Sequence, residues 1–183
     1  SDFYSDENTD RNFKTHKEVC NRLNQIGVSS FLSSATNIVN WSHYGDSHKG
    51  ICLEYSYEWG PDGFDRQKNG FTIHDVSYTN KFPFCNWADF LNAPEFCTET
   101  LLCTKYKDWA YENEVRIISR KHPGNNLFSL DALKLSLSSV FIGNHTDKNS
   151  PLYKRVISHC SKNNIEVVNL AKDKFRFRLR KIS

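Results

Sequence analysis

The feature that most constrains the fold is a set of short runs in which residues alternate between two faces, set between stretches with helical spacing. In KGICLEYSY (49–57), Ile51, Leu53 and Tyr55 alternate with Cys52 and Glu54. Such a period of two places successive side chains on opposite faces of a strand. VSSFLS (28–33), FTIHDVSY (71–78), ENEVRIISR (112–120), IEVVNL (165–170) and KFRFRLRKI (174–182) read as strands as well. Leu127–Leu135 and Ser139–Ile142 read as extended. Asn8–Gln25 reads as a helix, with Val19, Leu23 and Ile26 at helical spacing and Gly27 as its stop. Pro94–Asp108 and Pro151–Asn163 are expected helices with proline in the first turn, and Asn37–Tyr44 a helical turn. WGPDGFDRQKNG (59–70) and HPGNN (122–126) carry turn chemistry. Helices and strands mix without strict alternation, which argues for an α+β fold rather than a doubly wound parallel sheet. With no repeat or linker in view, one domain spanning 1–183 is expected.

Composition narrows the function classes. The chain has 183 residues, 38% of them hydrophobic, enough for a sizeable core. Aromatic residues reach 14%, so a core or a cleft must be rich in rings. The formal net charge of +3 does not indicate a nucleic-acid partner. No apolar run approaches the roughly 18–20 residues of a membrane-spanning helix, and SDFYSDENTD at the start is no signal peptide. A cytoplasmic protein with no membrane partner is the expectation. The six cysteines (20, 52, 85, 97, 103 and 160) lack CxxC spacing and read as reduced, buried thiols. The polar start and the absence of methionine lead to the expectation that the natural protein has a further N-terminal segment.

Four stretches carry chemistry. WSHYGDSHKGICLEY (41–55) holds His43 and His48 five residues apart, with Asp46 and Cys52 nearby. A zinc site needs a second ligand pair, which this stretch lacks, so no metal is expected and the histidines read as capping or stacking groups. In KYKDWAYENEVRIISR (105–120), Glu112 and Glu114 stand two apart and would share one side of a strand. Paired carboxylates are an acid/base device, but Lys105 and Arg116 could neutralise them in a solvated strand entrance. In SFLSSATN (30–37), Ser33, Ser34 and Thr36 hold a ligand or cap the next helix. No GxSxG elbow supports a serine hydrolase. In FRFRLRK (175–181), Phe175, Phe177 and Leu179 alternate with Arg176, Arg178 and Arg180. That pattern reads as a half-buried strand with a basic outer face, holding phosphates or guarding an edge. Neither a Walker A loop nor GxGxxG occurs.

Two of these stretches together resemble a large uncharacterised bacterial family, a domain of unknown function. WSHYGDSHKGICLEY resembles its W-S-H-Y-x-x-x-H-x-G-[IV]-C signature, and DWAYENEVRI resembles W-x-Y-E-x-E-[WV]-R. VFIGNH (140–145), followed by a helix and a last strand, resembles the family's C-terminal part, so the likeness covers most of the chain from Val28 on. More distantly, the chain resembles mono-ADP-ribosyltransferases, whose split, mainly antiparallel β core has flanking helices and three signature places. SSFLSS matches the serine-bearing strand end with Ser33, and ENEVRI matches the Glu-x-Glu strand entrance with Glu112 and Glu114. The first place, an Arg, His or Tyr on an early strand, finds no match in this chain.

The resemblance implies NAD as a substrate and a macromolecular acceptor, as in toxins and defence effectors. It implies Glu114 as the catalytic glutamate, Glu112 as the group acting on the acceptor and Ser33 as an orienting hydroxyl. Trp41, His43, Tyr44, His48, Lys105, Trp109, Tyr111 and Arg116 are the expected substrate-binding set. A His/Glu hydrolase or nuclease and a non-catalytic binding module stand as the alternatives.

Overall fold

A computed structural model describes residues 17–18, 20–21, 23–57, 70–120, 133 and 135–182. The elements in chain order are β1 (Gly27–Leu32), α1 (Ile38–Tyr44), β2 (Ile51–Tyr57), β3 (Phe71–Asp75), β4 (Ser77–Thr79), α2 (Trp87–Asn92), α3 (Pro94–Leu102) and β5 (Thr104–Tyr106). A 3₁₀ segment (Lys107–Glu112) then leads into β6 (Glu114–Ser119), followed by β7 (Leu135–Ile142), α4 (Pro151–Lys162), β8 (Glu166–Lys172) and β9 (Leu179–Ile182). The α+β class expected from the sequence is what the chain adopts. Part of the helix expected at Asn8–Gln25 and all but Leu133 and Leu135 of the extended stretch expected at Leu127–Leu135 lie outside the described residues, as do both turn segments apart from Gly70. The chain divides into two compact units. One comprises Ser1–Phe31, Asp65–Lys107 and Val115–Phe128; the other comprises Leu32–Phe64, Asp108–Glu114 and Ser129–Ser183.

In the first unit, β1, β6 and β3 form a sheet in that order. β3 and β6 run antiparallel, with Phe71 opposite Ser119 and Asp75 opposite Val115. Phe71, Phe90, Cys97, Cys103, Ile117 and Ile118 are buried here. The helix expected over Pro94–Asp108 stops at Leu102, where the Cys103 amide closes its last turn on Glu99. β-branched Thr104 and aromatic Tyr106 suit a strand better than a helix, and the segment pairs in parallel with β4. The single strand expected over 71–78 is likewise split at buried Val76.

The second unit is built on a mixed sheet ordered β2-β7-β8-β9. β2 and β7 are antiparallel with an irregularity between Glu54 and Tyr55, β7 and β8 are parallel, and β8 and β9 are antiparallel. Alternation along β7 sends Phe141 to one face and Val140 and Ile142 to the other. On the first face Phe141 packs with Trp41, Val168, Leu170 and Leu179. On the second, Val140 and Ile142 pack with Cys160, Tyr153 and Val156 of α4. Helix α4 starts with Ser150 as its cap and Pro151 in the first turn, the arrangement that satisfies the orphan amides of a helix N-terminus.

The last strand is shorter than the alternation of KFRFRLRKI implies. Only Leu179–Ile182 pairs, and Leu179 alone of the three alternating apolar groups is buried. Phe175 and Phe177 are 93% and 99% exposed. The cause is Asp173. Its carboxylate accepts from the Phe175 amide at 2.9 Å and from the Arg178 guanidinium at 3.2 Å, and its own amide donates to the Arg178 carbonyl. An Asp side chain that bonds its local backbone in this way favours a turn over a ladder.

Gly143 lies against the backbone of His48 and Gly50 so closely that a Cβ there would collide with the His48 carbonyl. Gly143→Ala should therefore cost about 1–3 kcal/mol through forced backbone movement. The check is the urea midpoint at constant m-value; a variant as stable as the wild type would show that the two loops are free to separate.

Candidate active site

The site begins where β1 ends. The Ser33 amide donates to the Asn113 carbonyl at 3.2 Å, and the Asn113 side-chain amide donates back to the Ser33 hydroxyl at 2.5 Å. Ser33 is thereby fixed to the residue between the two glutamates. Asn113 itself sits at φ 46°, a left-handed conformation that Asn tolerates better than most residues. Glu112 closes the 3₁₀ segment, Asn113 turns the chain, and Glu114 opens β6. The two carboxylates therefore do not share one side of a single strand as expected, because the strand starts only at Glu114. Nor do they stand at a solvated entrance: Glu112 is 2% and Glu114 4% exposed.

A carboxylate buried that deeply needs hydrogen-bond donors. Tyr44, the last residue of α1, donates its hydroxyl to Glu112 Oε1 at 2.6 Å. At the other end of α1, the Asn37 side-chain oxygen caps the helix by accepting from Val39 and Asn40. Its nitrogen donates to the Tyr111 carbonyl at 2.6 Å. Asn37 and Tyr44 are seven residues apart, two helical turns, so one face of α1 clasps the 3₁₀ segment at both ends. Aromatic rings cover the same place. The His43 ring stacks on Tyr111 (centroids 6.2 Å, 25° between planes) and lies 6.3 Å from Trp109, with Trp109 and Tyr111 6.0 Å apart.

The structure thus sets Asn113 on Ser33, Tyr44 on Glu112 and His43 against Trp109 and Tyr111, and it buries Glu114 next to Asn113 in the chain. Trp41 is not part of that aromatic cover. Its ring is 4% exposed in the core, and its indole N–H donates to the Ala35 carbonyl at 2.7 Å. It packs there with Phe141, Val168, Leu170 and Leu179. His48 is a brace rather than a lining group: it is 8% exposed, its Nε2 lies 3.0 Å from the Ser42 hydroxyl, and His145 meets it edge-on at 5.6 Å. Its loop turns through three consecutive left-handed residues, Asp46, Ser47 and His48. The loop is held there by the His145 amide on the His48 carbonyl and the Thr146 hydroxyl on the Lys49 carbonyl. Lys105 and Arg116 belong to the other compact unit, where Arg116 donates to the Leu102 carbonyl. Asn37, Asn113, Gly143 and His145 were not singled out from the sequence. Only VFIGNH pointed to the last two. Among the described residues no group of three or more His, Cys, Asp or Glu is placed to hold a metal, and no helix is long and apolar enough to cross a membrane.

Residues 40–117 match a protein family described as "protein of unknown function (DUF2971)". The matched segment contains the stretches WSHYGDSHKGICLEY and DWAYENEVRI, with the His48 loop and the two glutamates. No curated protein and no solved structure matches the chain.

Two outcomes test this construction. Tyr44→Phe removes the hydroxyl on buried Glu112 and should cost about 1–3 kcal/mol in chemical unfolding; an unchanged midpoint would mean that the contact contributes nothing. Burial, and then the charges of His145 and Lys172, hold the His48 pKa below 6.5. Above pH 6.5 the ring is neutral in both states and stability is full. As the pH falls from there through the lowered folded value, the unfolded chain binds the proton first and stability is lost. His48→Gln should flatten that part of the pH dependence, measured as thermal midpoints across the acid range. A curve parallel to the wild type would remove His48 as its source.

Proposed function

We propose that the chain is an NAD-dependent enzyme of the ADP-ribosyltransferase kind, with NAD as substrate, a macromolecule as acceptor and a role as a toxin or defence effector. The observation that carries the reading is the pair of hydrogen bonds on neighbouring residues, Asn113 to Ser33 and Tyr44 to Glu112, with Glu112 and Glu114 both buried. In this reading the bond between nicotinamide and ribose C1′ breaks, and nicotinamide leaves with the electron pair. Positive charge develops on the ribose, and the Glu114 carboxylate stabilises it from a preorganised position. The acceptor nucleophile attacks C1′ and gives its proton to Glu112; water in that role gives NAD glycohydrolysis. Ser33 orients the ribose or the glutamate, and His43, Tyr44, Trp109 and Tyr111 offer rings against which the nicotinamide can lie.

The test is NAD consumption by the wild type and by Glu114→Gln, which keeps the shape of the side chain and removes its charge. Loss of about 100-fold or more in rate, with the thermal midpoint held, is the expected outcome. Equal rates in the two proteins would remove the reading. NAD-independent cleavage of nucleic acid that disappears in His43→Ala would favour the hydrolase instead. If Glu112→Ala and His48→Ala lower only the melting temperature, the same residues form the core of a binding module.

A further inference from the structure

The turn between β8 and β9 presents a feature that the carboxylate site does not use. Phe175 and Phe177 project into solvent at 93% and 99% exposure. They are interleaved with Lys174, Arg176 and Arg178, and Arg180 and Lys181 follow at once. The one acid adjoining them, Asp173, is occupied with the Phe175 amide and the Arg178 guanidinium. The turn is therefore closed by its own hydrogen bonds, and its phenylalanines stand outward rather than folding back onto the sheet.

Two large aromatic rings left wholly in water are a standing cost that burial in another phase would relieve. Their setting among cations selects an anionic phase. We propose that this turn docks the protein on an anionic lipid surface, with Phe175 and Phe177 entering the boundary between headgroups and acyl chains and the flanking Lys and Arg side chains meeting lipid phosphates and carboxylates. A single-stranded nucleic acid is the less suitable occupant. Base-stacking sites pair their aromatic platforms with a basic groove that tracks the backbone, whereas these rings stand free of any such support. A second copy of the chain would bring two cationic turns together. The mode is peripheral, needs no spanning helix, and does not depend on the carboxylate site being catalytic.

The test is co-sedimentation of the full chain with vesicles of phosphatidylcholine alone, and with vesicles containing about 30% phosphatidylserine. The wild type should bind the anionic vesicles and leave the neutral ones. Raising the salt from about 0.1 M to 1 M, which shortens the screening length from about 10 Å to 3 Å, should weaken binding without abolishing it. Phe175→Ala with Phe177→Ala should lower partitioning by about tenfold or more, and Arg176→Glu should lower it as well. None of these side chains is buried, so the thermal midpoint should hold. The proposal is overturned if the wild type does not sediment with anionic vesicles, if neutral vesicles bind equally well, or if the double Phe variant binds like the wild type. Binding of a single-stranded oligonucleotide that the same substitutions abolish, without vesicle binding, would assign the turn to nucleic acid instead.

Discussion

The constraint on which the site depends is the burial of Glu112. A carboxylate at 2% exposure must find donors within the protein or the segment carrying it will not stay folded. The Tyr44 hydroxyl at 2.6 Å meets part of that demand, and it comes from the end of a helix only seven residues long. A helix so short has little stability of its own. It is held because Asn37 both caps it and reaches the Tyr111 carbonyl, and because Trp41 packs into the core with Phe141, Val168, Leu170 and Leu179. One short helix thus contributes both to the sheet core and to the carboxylate segment.

The loop within WSHYGDSHKGICLEY has a complementary task. Gly45 to Gly50 double back through three left-handed residues, a conformation that costs free energy at each non-glycine position. The neighbouring loop after β7 holds it there: the Gly143 amide donates to the Gly50 carbonyl, the His145 amide to the His48 carbonyl and the Thr146 hydroxyl to the Lys49 carbonyl. His48, expected among the substrate-binding residues, is part of this brace, with a neutral ring favoured by its burial.

Sequence pattern reached the strands with interior faces and missed those set by local side-chain chemistry. Glu166–Lys172 follows its alternation because burial rewards it, with Val168 and Leu170 in the core, whereas in Ile51–Tyr57 the apolar Ile51 and Leu53 are exposed and Cys52 packs against the core. The tail alternates as regularly, yet one Asp173 carboxylate diverts it into a turn, and periodicity carries no record of that competition. At the site, the sequence pointed to the stretches that meet: Ser33 is hydrogen-bonded to Asn113, the residue between Glu112 and Glu114. The geometry was not, because it rests on Asn113 adopting a positive φ and on Asn37 dividing its amide between two elements. Asparagines with such tasks look in sequence like any surface polar residue. Trp41 was misplaced for a related reason: a helix of two turns can turn a given ring toward either partner, and only packing against Phe141 decides.

The most direct measurement is a titration of the isotopically labelled full chain with NAD, following backbone amide shifts. If the carboxylate network is the substrate site, the shifts concentrate at Ser33, at His43 and Tyr44, and along Trp109 to Glu114, and they saturate together. An unperturbed spectrum, or shifts gathered on other elements while those residues stay still, would contradict the assignment of Glu112 and Glu114 to NAD chemistry.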